Sequence, residues 1–185
     1  MGGRVGILAV LHTWTRTLTY HPHVHCLVPG GGLGADRRWR PARKGFLVPV
    51  RALSRIFRDL LFRKLPDLPV PASVWRKEWV VYSKPSVQGG EAILTYLGRY
   101  VHRIAIINRR ILSIEDGKVT FRYQRCGQRP WRTMTLAAHE FIRRFLQHVL
   151  PKGVHKVRYY GLWPAPQNLI LLYATTHLIT RCWED

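Results

Sequence analysis

The chain has 185 residues, of which 46% are hydrophobic, so it can bury a core and is not an intrinsically disordered polymer. Its 30 Lys and Arg residues outnumber 10 Asp and Glu residues, which gives a formal net charge of +20. A polyanion is the expected partner of so basic a chain, and nucleic acid is the simplest one. Ribosomal and membrane-surface proteins are competing classes, but 7 Trp and 8 Tyr favour a folded domain on which bases stack.

Cysteine spacing and hydropathy argue against several further classes of protein. Cys26, Cys126 and Cys182 are scattered and form no C-x-x-C pair, which argues against a zinc knuckle and against a disulfide framework. We therefore expect a reducing cytoplasm. The apolar run at residues 5–10 is too short to span a membrane, so we interpret it as a buried strand and expect no membrane partner.

The first half of the chain is predicted to contain a hairpin of two strands, a flexible glycine turn, an exposed basic segment and a helix. Their ranges are 5–18, 21–29, 30–34, 35–45 and 51–65. The helix has one apolar face, expected to be buried. Its members are Leu53, Ile56, Phe57, Leu60 and Leu61.

The second half is predicted to contain a strand, a helix, a hairpin, a further helix and a last strand. Their ranges are 78–83, 91–102, 104–125, 138–150 and 154–160, and the hairpin turns at Asp116-Gly117. The inward face of the later helix consists of Phe141, Ile142, Phe145, Leu146 and Val149. We expect Arg143 and Arg144 to face outward. The order of elements predicts an α+β fold, an antiparallel sheet with helices packed on it.

Two histidines flank one apolar residue in the second strand, as His23-Val24-His25. Alternate side chains of a strand share a face, so both imidazoles point the same way and Val24 is expected in the core. Two imidazoles on one face can hold one divalent metal ion. An isolated His-x-His is more often an ordinary strand feature.

Two tyrosines, Tyr96 and Tyr100, are spaced i and i+4 in the predicted helix, so their hydroxyls share a face. Taken alone, such a pair is more often a core or interface feature. Together with the paired histidines and the basic charge, the pair indicates an enzyme that nicks DNA through a phosphotyrosine bond.

Four blocks of sequence carry a resemblance to a known family. The chain resembles the two-tyrosine HUH transposases of rolling-circle insertion sequences, whose name refers to His-hydrophobic-His. The blocks are Leu11-His12-Thr13-Trp14 with His21-Pro22-His23-Val24-His25, Trp79-Val80-Val81-Tyr82, Tyr96-Leu97-Gly98-Arg99-Tyr100-Val101-His102-Arg103, and the run at 140–161 from Glu140-Phe141-Ile142 to Tyr159-Tyr160-Gly161.

The resemblance implies an HUH-endonuclease-like sheet, with a nuclease core at residues 1–165 and a tail at 166–185. It also implies a bacterial, nucleoid-associated protein whose partner is single-stranded DNA at the element ends and target. Members of the family usually carry a cysteine-rich zinc-binding segment ahead of this domain. Nothing like it precedes Val5, so we expect a shortened member.

In that family the His-hydrophobic-His pair holds a metal, so the resemblance implies magnesium or manganese on His23 and His25, polarising the scissile phosphate. A hard cation prefers oxygen ligands, and two imidazoles suit an ion that stays open to phosphate and water. A third ligand is expected, with His12 on the neighbouring strand as the first choice. His21, Glu78 and His102 are further candidates for that third position.

The resemblance also makes Tyr96 and Tyr100 the nucleophiles, which leave a 5′-phosphotyrosine and a free 3′-hydroxyl. A single nucleophile, Tyr100, is also possible, with Tyr96 packing. Arginines near the tyrosines are expected to clamp phosphates, since guanidinium grips phosphate through two parallel hydrogen bonds, or else to form a solvated basic face. They are Arg99, Arg103, Arg109 and Arg110.

Two further functions are compatible with the sequence. One is a catalytically inactive transposase fragment that only binds single-stranded DNA. The second is a plasmid replication initiator or a conjugative relaxase, which share the histidine and tyrosine plan. The Leu150-Pro151-Lys152-Gly153 and Arg158-Tyr159-Tyr160-Gly161 blocks favour the transposase.

Overall fold

The computed structural model describes residues 3–43, 47–67, 69, 71–77, 79, 81–85, 104–125, 127–162 and 176–179. These residues form antiparallel sheets with a few helices, so the predicted α+β class is confirmed. In chain order the elements are β1 (Gly6–Trp14), β2 (Tyr20–Pro29), β3 (Gly31–Leu33), β4 (Trp39–Pro41), α1 (Val50–Lys64), α2 (Ala72–Arg76), β5 (Lys84–Pro85), a 3-10 turn (Asn108–Arg110), β6 (Ile111–Glu115), β7 (Lys118–Gln124), β8 (Trp131–Ala137), α3 (Ala138–Leu146), β9 (Val157–Gly161) and β10 (Thr176–Ile179). No helix in this part of the chain is long and apolar enough to cross a membrane.

The strands form a five-stranded sheet in the order β5-β10-β2-β1-β9, a three-stranded sheet in the order β6-β7-β8, and the pair β3-β4. β10 is antiparallel to β2, with Thr176 opposite Pro29 and Ile179 opposite Cys26. β10 therefore extends the sheet with residues from the segment predicted as a tail. The boundary at residue 165 stays a prediction.

The chain divides into two compact units. The first unit comprises Met1–Leu8, Cys26–Ile93 and Tyr159–Arg181, and the second comprises Ala9–His25, Leu94–Arg158 and Cys182–Asp185. In the first unit, Gly161 has φ +71 and lies against the carbonyl oxygen of Val5, where a Cβ would clash. Only glycine allows this approach, and Leu162 then donates its backbone N–H to that carbonyl at 3.3 Å.

The core of the second unit forms around Phe121 of β7. The buried residues Leu18, Ala105 and Ile106 surround it, and Phe141 of α3 meets it edge-to-face with ring centroids 5.7 Å apart. Alternate β7 residues point to this core, as a strand covered on one face requires. The predicted turn at Asp116-Gly117 is confirmed, with φ of +48 and +68. Positive φ at both positions is the geometry of a type I′ hairpin.

The predicted strand at 5–18 is too long, because β1 ends at Trp14 and residues 15–19 form a turn. The prediction of a flexible turn at 30–34 is wrong, because Gly31–Leu33 pairs with Trp39–Pro41 as β3 and β4. A Cβ at Gly31 would lie 2.6 Å from the carbonyl oxygen of Arg40, so the missing side chain is what permits this close pairing.

Strand positions further along the chain also differ from the prediction. The described residues within 78–83 are not in a strand, and the short β5 follows them at Lys84–Pro85. The sequence patterns do not predict β8. The last predicted strand begins at Val157 rather than at 154. The predicted helix at 91–102 lies outside the described residues.

Both long helices form close to their predicted positions, although α3 stops at Leu146. Their apolar faces are less buried than predicted: Ile56 and Ile142 are each 53% exposed. On α1 the buried residue is Phe62, which packs against Trp79 with ring centroids 5.6 Å apart. On α3, Phe141 faces the core, and successive residues rotate by about 100°, which turns Ile142 away from it.

Candidate metal centre

Three histidines of the second unit come together on β1 and β2. One ring nitrogen from each of His12, His23 and His25 can be chosen so that all lie within 4.8 Å of one another. The ring centroids of His12 and His25 are 4.4 Å apart, and those of His23 and His25 are 4.8 Å apart. The strands thus bring the first-choice third ligand to the predicted pair, and the cluster can bind a metal ion.

Strand alternation explains how the cluster forms. His12 and His25 are buried, and His23 is half-buried on the same face of β2 as His25. The prediction that Val24 faces the core is wrong, since its side chain is 46% exposed. The histidines occupy the buried face of the strand, so the residue between them points to the opposite, exposed face.

The tautomer of His23 follows from one contact. Its Nδ1 lies 2.8 Å from the carbonyl oxygen of His21, and a carbonyl only accepts, so Nδ1–H donates. Burial lowers the pKa of His23, partly offset by this hydrogen bond, and the His21 imidazole lowers it further. The neutral ring leaves Nε2 with a lone pair, which is the form that ligates metal.

His21 lies beside the cluster, with its ring centroid 5.2 Å from that of His23. Its Nε2 is buried and has no hydrogen-bond partner among the described residues. His21 is not part of the group of three whose ligand atoms converge. Glu78 and His102, which the sequence also offers as third ligands, lie outside the described residues.

The turn between β1 and β2 is held by side chains from distant parts of the second unit. Arg110 donates through Nη2 to the carbonyl of Arg16 at 2.7 Å, and Arg144 donates through Nη1 to that of Thr17 at 3.3 Å. His148 donates through Nε2 to the carbonyl of Leu18 at 3.1 Å. Three consecutive carbonyls therefore each receive a side-chain donor, which fixes the turn that joins the histidine-bearing strands.

Leu18 is the most constrained residue of this turn. Its φ is +63, which is unfavourable for a side chain with a Cβ, and it is fully buried. His148, itself buried, donates to the Leu18 carbonyl, so its Nδ1 accepts the hydroxyl of Thr13 at 3.3 Å. Burial lowers the pKa of His148, and the hydrogen bond to the Leu18 carbonyl partly opposes the shift.

The expectation that Arg144 faces outward is wrong, because its side chain is only 24% exposed and bonds inward to the turn. Glu140 holds it at 2.7 Å and also binds Arg143, which does face outward at 57% exposure. The two arginines lower the pKa of Glu140 to about 2. No sequence pattern signals the contacts of Arg144 and His148, because their partners lie more than 100 residues away.

The predicted DNA-binding and catalytic residues have different outcomes. Arg109 is exposed in the 3-10 turn. Arg110 donates to two carbonyls, through Nη2 to Arg16 and through Nε to Arg122 at 2.8 Å. Tyr96, Tyr100, Arg99 and Arg103 lie outside the described residues. All of these roles stay predictions.

An α+β domain with a three-histidine cluster on adjacent strands defines a candidate metalloprotein with a basic surface, and comparison with known proteins supplies its family. The model of the Y2_Tnp family, described as "Putative transposase", matches residues 6–168. The chain belongs to this family. The predicted resemblance to two-tyrosine transposases is confirmed.

Two curated relatives agree with this assignment. The chain is 45% identical over 186 residues to "Putative transposase y4qJ" of Sinorhizobium fredii, covering 87% of this chain and 46% of the relative. It is 30% identical over 182 residues to "Transposase for insertion sequence element IS801" of Pseudomonas savastanoi pv. phaseolicola, covering 86% of this chain and 43% of the relative. The chain thus spans about half the length of these relatives. No solved structure matches it significantly, so the HUH-like form of the sheet stays a prediction.

Proposed function

We propose that the chain nicks and rejoins single-stranded DNA in rolling-circle-like transposition, through a 5′-phosphotyrosine intermediate. The observation that carries the proposal is the convergence of His12, His23 and His25 in a member of a transposase family. The Tyr96-Leu97-Gly98-Arg99-Tyr100 sequence supplies candidate nucleophiles. The relative described as the transposase of insertion sequence element IS801 supports transposition, and the resemblance to two-tyrosine transposases supports the rolling-circle type.

The three imidazoles suit a divalent cation held with open positions, and we propose magnesium or manganese. When bound, the ion supplies Lewis acidity at the scissile phosphate. His23 contributes Nε2, because its Nδ1–H is engaged by the His21 carbonyl. Three neutral nitrogen ligands add no negative charge, so the site keeps its attraction for a phosphate oxygen. Manganese accepts imidazole more readily than magnesium does, which makes it the better probe.

The proposed reaction conserves the energy of the cleaved bond. A tyrosine oxygen of Tyr96 or Tyr100 attacks phosphorus and forms an O–P bond, while the bond from phosphorus to the 3′-oxygen breaks. The phenolic proton leaves to solvent or a base, and the departing 3′-oxygen takes up a proton. The reverse attack by a 3′-hydroxyl rejoins a strand without nucleotide hydrolysis. Two tyrosines allow one strand end to be held while a second is cut.

The proposed positioning of DNA uses the basic surface. A phenol with an ordinary pKa of about 10 is protonated at neutral pH, and nearby guanidinium groups favour its phenolate form. We assign this role to Arg99 and Arg103, and phosphate contacts to Arg109, whose side chain is exposed. Arg110 is a predicted phosphate contact as well, and its Nε and Nη2 donate to the carbonyls of Arg122 and Arg16.

An inactive fragment that only binds single-stranded DNA is the second candidate. It is favoured by the excess of 30 Lys and Arg residues over 10 Asp and Glu residues, since such charge binds a DNA strand whether or not cleavage follows. The two candidates differ in whether a covalent bond to DNA forms.

The test is an adduct assay with labelled single-stranded DNA that carries the terminus of the encoding element, in manganese or magnesium. The proposal predicts an adduct that survives denaturant, is lost in His23→Ala, and persists in His139→Ala, which removes an exposed histidine of α3. Tyr96→Phe and Tyr100→Phe together abolish it. Absence of an adduct in a folded chain that still binds DNA would establish the binding fragment instead.

A further inference from the structure

The three-stranded sheet of the second unit has one face that the core does not use. Val119, Phe121 and Tyr123 of β7 point to the core, so the alternate residues of β7 point the other way. Residues directly opposite each other in neighbouring strands share a face. The register then assigns the side chains of this open face. On β7 and β8 they are Lys118, Thr120, Arg122, Gln124, Trp131, Thr133 and Thr135, and on β6 they are Ser113 and Glu115.

The open face presents an aromatic ring with a cation on it. Trp131 is 55% exposed, and the guanidinium carbon of Arg122 lies 5.1 Å from its ring centroid. The pair is arranged diagonally across β7 and β8, because Arg122 is opposite Thr133 and Gln124 is opposite Trp131. Exposure of about half of so large an aromatic side chain to water has an unfavourable free energy. The Arg122 guanidinium occupies one side of the Trp131 ring and leaves the other side available for stacking.

Charge on β7 and β8 has a single sign, and β6 places Glu115 on the same face, opposite Lys118. Residues 117–139 contain five cationic side chains and no Asp or Glu. Lys118 and Arg122 lie on the open face, Arg125 and Arg129 lie in the segment between β7 and β8, and Arg132 lies on the other face. None of them forms an ion pair within the part of the chain that the structure describes. The hydroxyls of Thr120 and Thr135 lie 2.9 Å apart on the open face. Thr133, which lies within β8 on the same face, is exposed. Cations and hydroxyls beside an aromatic ring are complementary to a phosphate backbone with unpaired bases.

We propose that the open face is a binding platform for single-stranded DNA, with one base stacked on Trp131 and the adjacent phosphate held by Arg122. The histidine cluster is not part of it. This inference deepens the proposed function and rests on it, since it names a surface that holds the strand, but it is tested by binding and not by nicking. Duplex DNA is a poorer ligand, because paired and stacked bases do not offer a face to the ring.

The test measures fluorescence anisotropy of a labelled 20-nucleotide oligo-dT on the full chain carrying His23→Ala, which removes cleavage from the measurement. Trp131→Ala should weaken binding about tenfold, within the range found for loss of one base stack, and Trp131→Phe should restore most of it. Ile114→Ala is the matched control, because Ile114 is 69% exposed and its position opposite Val119 places it on the other side of the sheet. Unchanged affinity in a folded Trp131→Ala chain would overturn the proposal.

A second pair of variants compares the loss of the same charge from the two faces of the sheet. Arg122→Gln and Arg132→Gln remove the same charge, but Arg132 is opposite Tyr123 and so belongs to the other face. Arg122→Gln should lower the affinity more, and should reduce the slope of log affinity against log salt by about 0.7, as expected for one phosphate contact to a single strand. Equal losses in the two variants would mean that net charge, not this face, binds the strand.

Two further outcomes distinguish the DNA-binding platform from self-association of the chain and from the proposed nicking function. If sedimentation shows that the chain self-associates through Trp131 while oligo-dT binding is insensitive to it, the face is a contact between copies, and the platform is refuted. If Trp131-dependent binding is found but the His23-competent chain forms no adduct, the proposed function fails and the platform stands.

Discussion

Two of the β-hairpin turns in the second unit, at residues 116–117 and 15–19, are built in different ways. The turn at 116–117 needs only its own two residues, because Asp and Gly adopt positive φ at little cost. The turn at 15–19 places Leu18 at positive φ and relies on Arg110, Arg144 and His148 to bond its carbonyls. The first turn is a local property of the sequence. The second has hydrogen bonds among its own residues and also receives donors from distant elements, and it is the one that joins the histidine-bearing strands.

The largest expected effect concerns the metal. His25→Ala removes a buried ligand from the cluster, so manganese binding should fall by about a hundredfold or more, since even the loss of an outer partner of a ligand costs roughly 10–100-fold. Isothermal titration with manganese measures this. His139→Ala removes an exposed histidine and should bind as the wild type does.

Leu18→Gly and Asp116→Gly compare the two turns directly. Gly relieves the positive φ in both, but at position 18 it also removes a fully buried side chain. We expect Leu18→Gly to lower the free energy of unfolding by about 2–4 kcal/mol, because the loss of packing exceeds the relief of strain of about 1 kcal/mol.

Asp116→Gly should change that free energy by less than about 0.5 kcal/mol, because the residue is exposed. Urea denaturation measures both variants. Similar effects at the two positions would mean that the turns do not differ in the way described.

His148→Ala should have the next largest effect on the free energy of unfolding. It leaves the Leu18 carbonyl and the Thr13 hydroxyl without their buried partner, which costs about 1–3 kcal/mol of unfolding free energy. His148→Gln, which can still donate near the Leu18 carbonyl, should recover part of the loss. A His148→Ala chain as stable as the wild type in urea would show that the turn holds itself.

The smallest effect is a pH dependence. Burial lowers the pKa of His148 in the folded state, so below about pH 6.5 the unfolded state binds more protons than the folded state. The free energy of unfolding should therefore decrease as the pH falls from about 7 to about 5.

Comparison with His148→Gln isolates this contribution, because the half-buried His23 has a pKa shift of the same sign in both chains. The slope of unfolding free energy against pH should be smaller in the variant. Parallel curves would assign the pH dependence to other groups.

The two turns also show what sequence patterns predict. The Asp116-Gly117 turn, the α+β class and the pairing of His23 with His25 depend on neighbours in sequence, and patterns in the chain predict each of them. The buried Leu18 turn, the inward Arg144 and the role of His148 depend on packing between distant residues. The glycine run at 30–34 has the composition of a loop, yet it pairs as a strand because Trp39 and Arg40 approach it closely.

In the candidate metal site, too, some features follow from neighbouring residues in the sequence and others depend on packing between distant residues. Strand alternation predicts that His23 and His25 share one face, but it leads to the wrong side for Val24, because alternation cannot tell which face the rest of the chain covers. The position of His12 on the neighbouring strand makes it a candidate ligand, and the structure brings it within reach of the pair.

The proposed function requires that His12, His23 and His25 form one metal site that supports DNA nicking. Electron paramagnetic resonance of manganese, titrated into the wild-type chain and into His12→Ala, His23→Ala and His25→Ala, tests it most directly. We expect one bound ion per wild-type chain, displaced into the free signal by each of the three substitutions. Binding that survives in all three variants would contradict the claim.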